Sequence, residues 1–233
     1  MTPDEAKRKL IDAALVLDDA GLGDFTRGHV SVRAPGDDKH FFMKPHSFGL
    51  DELTMENIVT CDMDGVKVAG AGRRHSEVFI HSEIFKARPD INAVIHAHPK
   101  YSVAFSTLDV PLLPISQAGS EFYDGVGVYA DTIDLIRSPE TGARVAEALG
   151  SFKAVLLRGQ GVTVVGKTLE ECVILCMTLE NACEMQLLIE ATGKTPKIFP
   201  RDDIKALADK MSVPEIYAIN FDYLVRKARR SRG

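Results

Sequence analysis

Two periods of apolar residues alternate along this chain, one helical and one of strands. Residues 3 to 20 place Ala6, Leu10, Ala13, Ala14 and Leu17 at helical spacing, with Thr2 or Asp4 to cap the start and Gly21 to end the helix. "GHVSVRAPG" then alternates as a strand, with Val30 and Val32 to one side, and stops at Pro35-Gly36. "KHFFMKP" is a second short strand, followed by the loop "HSFGLDELT" with a helical turn from Asp51 or Thr54. "IVTCDMDGVKVAG" predicts a hairpin around Asp64-Gly65. "HSEVFIHSEIFKARPD" returns to helical spacing through Val78, Ile80, Ile84 and Phe85. "INAVIHAHP" is a β-branched strand closed by Pro99.

The second half continues in the same manner. "KYSVAFSTL" predicts a short helix, and the Pro- and Gly-rich stretch from Asp109 to Tyr129 predicts loops with short strands. "SPETGARVAEALG" is a helix with Pro139 near its first position and Gly150 after its last. "KAVLLRGQGVTVVGKT" holds two strands around Gly159-Gln160-Gly161, and a long amphipathic helix runs from Leu169 towards Gly193. A further short helix and "VPEIYAINFDYLVRKA" follow. The expected architecture is one α/β domain over 1–194 with a C-terminal helical appendage over 195–233. Strands joined as hairpins as well as across helices predict a mixed or mostly antiparallel sheet.

Composition narrows the function classes. A net charge of -5 with no domain-wide basic excess argues against nucleic acid as a partner. The basic end "VRKARRSRG" reads as a solvated, frayed terminus. The N-terminus lacks the apolar core of a signal peptide, and no window of 18 apolar residues predicts a membrane span. Cys172, Cys176 and Cys183 fall near one helical face and, with Cys61, read as buried core residues rather than a disulfide framework. The expected location is therefore cytoplasmic.

Candidate chemistry centres on "IHAHP". Side chains at i and i+2 of a strand share a face, so His96 and His98 project together and form half a metal site. A catalytic divalent centre adds a third protein ligand and keeps a position open. Glu77 opens the helix directly before this strand, where the helix N-terminus favours a carboxylate. Gln160 sits in a tight Gly-flanked loop, where its carbonyl oxygen can ligate weakly or its amide can bond substrate.

These pieces, "GHVSVR", "FFMKP", "DMDG", "SEVFIHSEIFKARPDINAVIHAHP" and "LLRGQGVTVVGKTLEE", resemble the class II aldolase/adducin family in content and order. The resemblance runs from about residue 6 to 193. It implies a three-layer α/β/α fold around a central, mostly antiparallel sheet, and a homotetramer with active sites at subunit interfaces. It also implies one divalent metal ion per subunit, zinc or manganese, with iron(II) and cobalt(II) as further candidates. His96 and His98 match two of the family's metal ligands, and Glu77 matches its metal-binding or proton-moving acid. The family's third histidine falls at Gln160. Three outcomes stay open: a site of His96, His98, Glu77 and Gln160, a weakened site, or a lost one.

The substrate pattern also departs from the sugar-phosphate members. His29 replaces an asparagine, and "RRHSE" replaces a Ser-Ser pair before the acid, leaving Ser76 beside Arg73, Arg74 and His75. Planar guanidinium suits a carboxylate. The expected substrate contacts are His29, Lys44, His46, Ser47, Arg74, His75 and Ser76. Tyr123 is the nearest candidate for the tyrosine that protonates the leaving group in some aldolases. His40 and His81 receive no role. The expected activity is a metal-dependent carbon–carbon lyase acting on a small-molecule carboxylate, most simply a decarboxylase of a hydroxy-aromatic or keto acid. Aldol cleavage and a non-catalytic adducin-like binding module are the alternatives. Neither nucleic acid nor a membrane is an expected partner.

Overall fold

The structure is a computed structural model and describes residues 1–232. Eight strands form one sheet: β1 (His29–Arg33), β2 (His40–Met43), β3 (Val59–Asp62), β4 (Lys67–Ala69), β5 (Ala93–Ala97), β6 (Gly127–Tyr129), β7 (Ala154–Leu157) and β8 (Gly161–Gly166). Their order is β4-β3-β2-β1-β5-β8-β7-β6, and every pairing is antiparallel except β6 with β7. The expected mostly antiparallel sheet is therefore present, as are helices on both of its faces.

Strand pleating divides the core into two layers. One face sends Val30, Val32, Ala93, Ile95, Val162 and Val164 towards α1 (Pro3–Asp19) and α6 (Leu169–Glu190). The other sends Phe41, Met43, Val94, Val155 and Val165 towards α2 (Val78–Ala87) and α5 (Pro139–Leu149). Thr2 and Glu5 close a reciprocal cap on α1, with Glu5 N–H donating to Thr2 Oγ1 at 3.3 Å and Thr2 N–H to Glu5 Oε2 at 2.6 Å. Among the described residues, α6 is the one helix long and apolar enough to cross a membrane. Here its apolar residues have another use: Cys172, Val173, Leu175, Cys176, Leu179 and Cys183 are buried in the core.

Two polar side chains of α6 place the chain around the end of β5. Glu180 accepts from the N–H groups of Tyr101 and Ser102, each at 2.8 Å, and from Ser102 Oγ at 2.6 Å. That carboxylate satisfies free N–H groups in the first turn of α3 (Lys100–Ser106), directly after His98-Pro99. Gln186 accepts from Leu113 N–H at 2.7 Å and donates to Pro111 O at 3.0 Å, fixing the next loop.

The C-terminal helices α7 (Arg201–Met211) and α8 (Pro214–Ser231) pack on α4 (Gln117–Ser120), α6 and α1. Phe221 and Val225 join the α1/α6 core layer. Buried Glu121 accepts from Lys153 Nζ at 2.8 Å, Ser212 Oγ at 2.6 Å and Tyr217 OH at 2.9 Å. The basic end is not frayed, contrary to the sequence reading. Helix α8 continues to Ser231 because its cations meet acids of α1: Arg229 with Asp12 at 2.7 Å, Lys227 with Asp19 at 3.4 Å, and Arg232 with Asp18. The chain-wide acidic excess supplied a partner that local composition did not reveal.

Glu121→Ala is expected to cost about 2–3 kcal/mol, since it strands the buried Tyr217 hydroxyl and removes a charged acceptor. Urea unfolding measures this, and limited proteolysis should cut ahead of α7 faster in the variant. An unchanged midpoint would remove Glu121 from the account of C-terminal docking.

Candidate functional site

The pleat that sends Val30 and Val32 to one face sends His29 and Ser31 to the other. Strand register does the rest. His29 on β1 lies directly opposite His96 on β5, and His96 lies opposite Thr163 on β8. A lateral row His29–His96–Thr163 thus crosses three central strands on the α2 face. All three are fully or almost fully buried. In this row or around it lie six of the chain's seven histidines. His29 touches the rings of His75, His81 and His96 at centroid distances of 4.1, 4.8 and 4.9 Å, while His98 lies 4.9 Å from His96 and His46 5.4 Å from His75.

Burial keeps these rings neutral. Desolvation holds His29 and His96 well below the ordinary imidazole range and brings His75 and His81 down to about 3. His98 is also lowered by burial, against the pull of Asp24. Neutral imidazole is the ligand form.

An oxygen stands beside the outer nitrogen of each ring of the pair. His96 Nδ1 lies 3.1 Å from Thr163 Oγ1, and His98 Nδ1 lies 3.2 Å from Asp24 Oδ2. The two Nε2 atoms face each other at 3.2 Å, and in the tautomers that carry both hydrogens on Nδ1 each presents a lone pair to the other. Bare lone pairs at that separation repel. A cation between them removes the conflict, and tetrahedral metal–nitrogen bonds place two nitrogens about 3.3 Å apart. The donor set therefore fits a divalent metal.

Glu77 completes this corner. It precedes α2 at the cap position and is buried, and desolvation raises its pKa against the lowering effect of Ile136 N–H. Ile136 N–H donates to Oε1 at 3.0 Å, and Gln160 Nε2 donates to the same oxygen at 3.5 Å. Oε2 stands 3.7 Å from His29 Nε2. Donor atoms of His29, Glu77 and His96 all lie within 4.8 Å of one another.

The loop after β7 closes against this set. Gly159 N–H donates to Ser106 Oγ at 2.9 Å. Gly161 abuts the histidine pair: a Cβ there would fall 2.7 Å from Ala97 O, 2.8 Å from His98 Cδ2 and 3.1 Å from His96 Cε1. Only glycine lets the loop come this close.

A cavity of about 340 Å³ opens over the set. Arg27 and Arg137 bring positive charge to it, Ile133 and Leu135 bring apolar surface, and Glu77, His98 and Gln160 stand at its base. A second hollow of about 440 Å³ shares His46 and Ser76 with it and is otherwise lined by Lys67, Arg73 and Arg74. A larger hollow, about 840 Å³, lies at the opposite end of the strands beside Pro35 and Leu169 and has no histidine in its wall. The chemistry is at the smaller cavity, where the donors converge. Two non-glycine residues beside it have left-handed backbone, Phe25 at φ 51° and Ser47 at φ 71°, a conformation that marks locally constrained chain.

The structure brings together His29, His46, His75, Ser76, Glu77, His96, His98 and Gln160. Ser47 supports the group by pairing with His46 Nδ1 at 2.6 Å. Arg74 lies in the second hollow, bonded to His75 O and over the Phe79 ring. Gln160 directs its amide nitrogen at Glu77 and Asp134 O, and its Oε1 is buried without a partner.

Two expected substrate or catalytic contacts are corrected. Lys44 is wholly buried and spends its ammonium on Thr26 O at 2.9 Å and Pro45 O at 3.3 Å, so it lies behind the cavity wall. Burial lowers its pKa to about 8. Tyr123 does not line the cavity, because the turn after α4 directs it to α7, where Arg201 lies 5.2 Å from its ring centre. The sequence reading missed Asp24, Arg27, Arg137 and Thr163. It also gave no role to His81, which bonds to His29 and Ser31 at 2.6 Å each. The one signal for His81 was its position four residues after Glu77, on the same side of the helix.

The family model for the class II aldolase and adducin N-terminal domain matches residues 8–187. The chain is 33% identical over 188 residues to decarboxylase NovR of Streptomyces niveus, covering 80% of this chain and 68% of that one. It is 30% identical over 215 residues to 3,4-dihydroxyphthalate decarboxylase of Arthrobacter keyseri, covering 88% and 86%. L-fuculose 1-phosphate aldolase from Glaciozyma antarctica PI12 superposes with a TM-score of 0.87 at 25% identity, covering 99% of this chain and 91% of that one.

Gly161→Ala is expected to push the histidine rings apart and weaken Zn2+ binding at least about tenfold while the far-ultraviolet circular dichroism holds. Competition with a chromophoric chelator reads the affinity; equal affinity in both proteins would refute the close-approach account. In the metal-free protein, His75 and His81 stay neutral when folded between about pH 3 and pH 6.5, whereas the unfolded chain takes up protons there. Their stabilisation is therefore full above pH 6.5 and declines as pH falls, by up to about 1.4 kcal/mol per pH unit for each ring. Urea midpoints from pH 7 to pH 4 check the slope, and His81→Phe should flatten it.

Proposed function

The chain belongs to the class II aldolase and adducin family, and from that premise we propose that it is a metal-dependent lyase that decarboxylates a hydroxy-aromatic or keto acid. The observation that carries this reading is the pairing, in one cavity, of converging imidazole and carboxylate donors with Arg27 and Arg137. Relatives named as decarboxylases support it, NovR and 3,4-dihydroxyphthalate decarboxylase among them.

His96, His98 and Glu77 are the residues assigned to hold the metal. Gln160, which the sequence reading offers as a ligand, is assigned instead to hold Glu77, because its Nε2 faces that carboxylate. A divalent cation at this set supplies Lewis-acid stabilisation of the negative charge that develops beside the breaking bond.

The protein's own groups do the remaining work. Arg27 and Arg137 orient a second, retained carboxylate of the substrate. Ile133 and Leu135 cover the apolar part of the substrate and exclude water. Loss of CO2 leaves an electron pair on carbon. Glu77 serves the resting site as a carboxylate; once turned to substrate, and with its pKa raised by burial, it takes a proton from solvent through the cavity mouth and passes it to that carbon. Ile136 N–H and Gln160 Nε2 fix its Oε1, which leaves Oε2 free to turn to substrate.

A homotetramer with active sites at subunit interfaces belongs to the same reading. Ile133 is 73% and Phe25 87% exposed near the cavity mouth, surfaces a neighbouring subunit would cover. A cytoplasmic location agrees with four free, buried thiols.

Purified protein with Mn2+ and a panel of hydroxy-aromatic and keto acids is expected to release CO2. Glu77→Gln should lower kcat by about 10²–10⁴, and Arg137→Gln should mainly raise KM. Cleavage of a sugar phosphate without CO2 release from any acid would establish an aldolase instead. A metal content near zero after incubation with Zn2+, Mn2+ or Fe2+ would favour an adducin-like binding module.

A further inference from the structure

No histidine follows His98 in the chain, so a third imidazole for the cation must come from upstream. His29 is the one the sheet supplies. It is paired with His96 across β1 and β5, its ring is stacked on that of His96 at 24°, and its Nε2 is buried without a hydrogen-bond partner. Its other nitrogen begins a buried chain. His29 Nδ1 lies 2.6 Å from His81 Nε2, and His81 Nδ1 lies 2.6 Å from Ser31 Oγ.

Only two proton arrangements satisfy both short contacts with neutral rings. In the first, His29 Nδ1–H donates to His81 Nε2, and His81 Nδ1–H donates to Ser31 Oγ. In the second, Ser31 O–H donates to His81 Nδ1, His81 Nε2–H donates to His29 Nδ1, and His29 must carry its hydrogen on Nε2. That N–H would point into the cluster with no acceptor in range, since Glu77 Oε2 is 3.7 Å away. The first arrangement leaves Nε2 as a lone pair, aimed where donor atoms of Glu77 and His96 stand within 4.8 Å. It also gives His29 the outer hydrogen bond that fixes the tautomer of a metal-binding histidine.

We propose that His29 donates through Nε2 to the same cation as His96 and Glu77, and that His81 and Ser31 are positioning residues that hold it in the donor tautomer. This rests on the metal-binding reading above and adds the ligand that Gln160 does not provide. It gives Ser31 and His81 a purpose that packing does not, since buried polar side chains between sheet and helix contribute little to the core.

The test uses the full chain and Zn2+ as the probe. In the wild-type protein, 15N–1H correlation spectra of the imidazoles should show His29 protonated at Nδ1, with its Nε2 resonance shifted on adding one equivalent of Zn2+. By chelator competition, His29→Ala and His81→Phe should each weaken Zn2+ binding about 10–100-fold. His81→Gln, whose side chain can still accept from Nδ1–H, should recover most of that loss. The Co2+ absorption spectrum should change in His29→Ala and stay close to wild type in His81→Gln. If wild type binds one Zn2+ while His29 Nε2 stays protonated, or if both weakening variants bind as tightly as wild type, the inference fails and the metal reading stands. If wild type binds no Zn2+, the metal reading fails and takes this one with it. The wild-type spectra need no variant, so a substitution that prevents folding does not spare the proposal.

Discussion

The structure turns on a row of imidazoles buried between a sheet and a helix. Nonpolar surroundings penalise a charged ring, and an unpaired ring nitrogen is costly in either protonation state. Every nitrogen among them must therefore find a partner or await a cation. His96 finds Thr163, and His29 finds His81, which finds Ser31, while the carboxylate of Asp24 stands 3.2 Å from His98. What remains unpaired is aimed inward, at one point. The sheet supplies the row and α2 supplies the cover.

The surrounding chain reads as support for that row. Glu180 satisfies the turn that follows His98, Ser106 holds the loop that leads to Gly161, and Ile136 and Gln160 hold Glu77. These partners come from segments far apart in the chain, with α6 at the centre of the core. A substitution in any of these segments reaches the donors through one hydrogen bond, with no need for contact with substrate.

The sequence disclosed much of this, unevenly. The histidine pair was legible because strand period places i and i+2 on one face without knowledge of any other strand. The elements themselves were legible from spacing, caps and turn residues. His29 was visible as a site residue but not as a neighbour of His96, because that adjacency is set by the register of β1 on β5. His81 looked like packing because a histidine on the inner face of an amphipathic helix has no local mark of its partners. Tyr123 and Lys44 went astray for the same reason: proximity in sequence does not fix which way a turn or a strand end directs a side chain. The basic terminus appeared solvated until the acids of α1 were seen opposite it.

The four cysteines have a consequence beyond packing. All are buried, and desolvation pushes the thiols of Cys61, Cys176 and Cys183 up to about 12, with Cys172 also raised. A metal ion arriving at the site meets no thiolate there, only nitrogen and oxygen. Discrimination among ions then falls to borderline and hard donors. Soft ions such as copper(I) gain no thiolate foothold there, so the fold sequesters its thiols as thoroughly as it gathers its imidazoles.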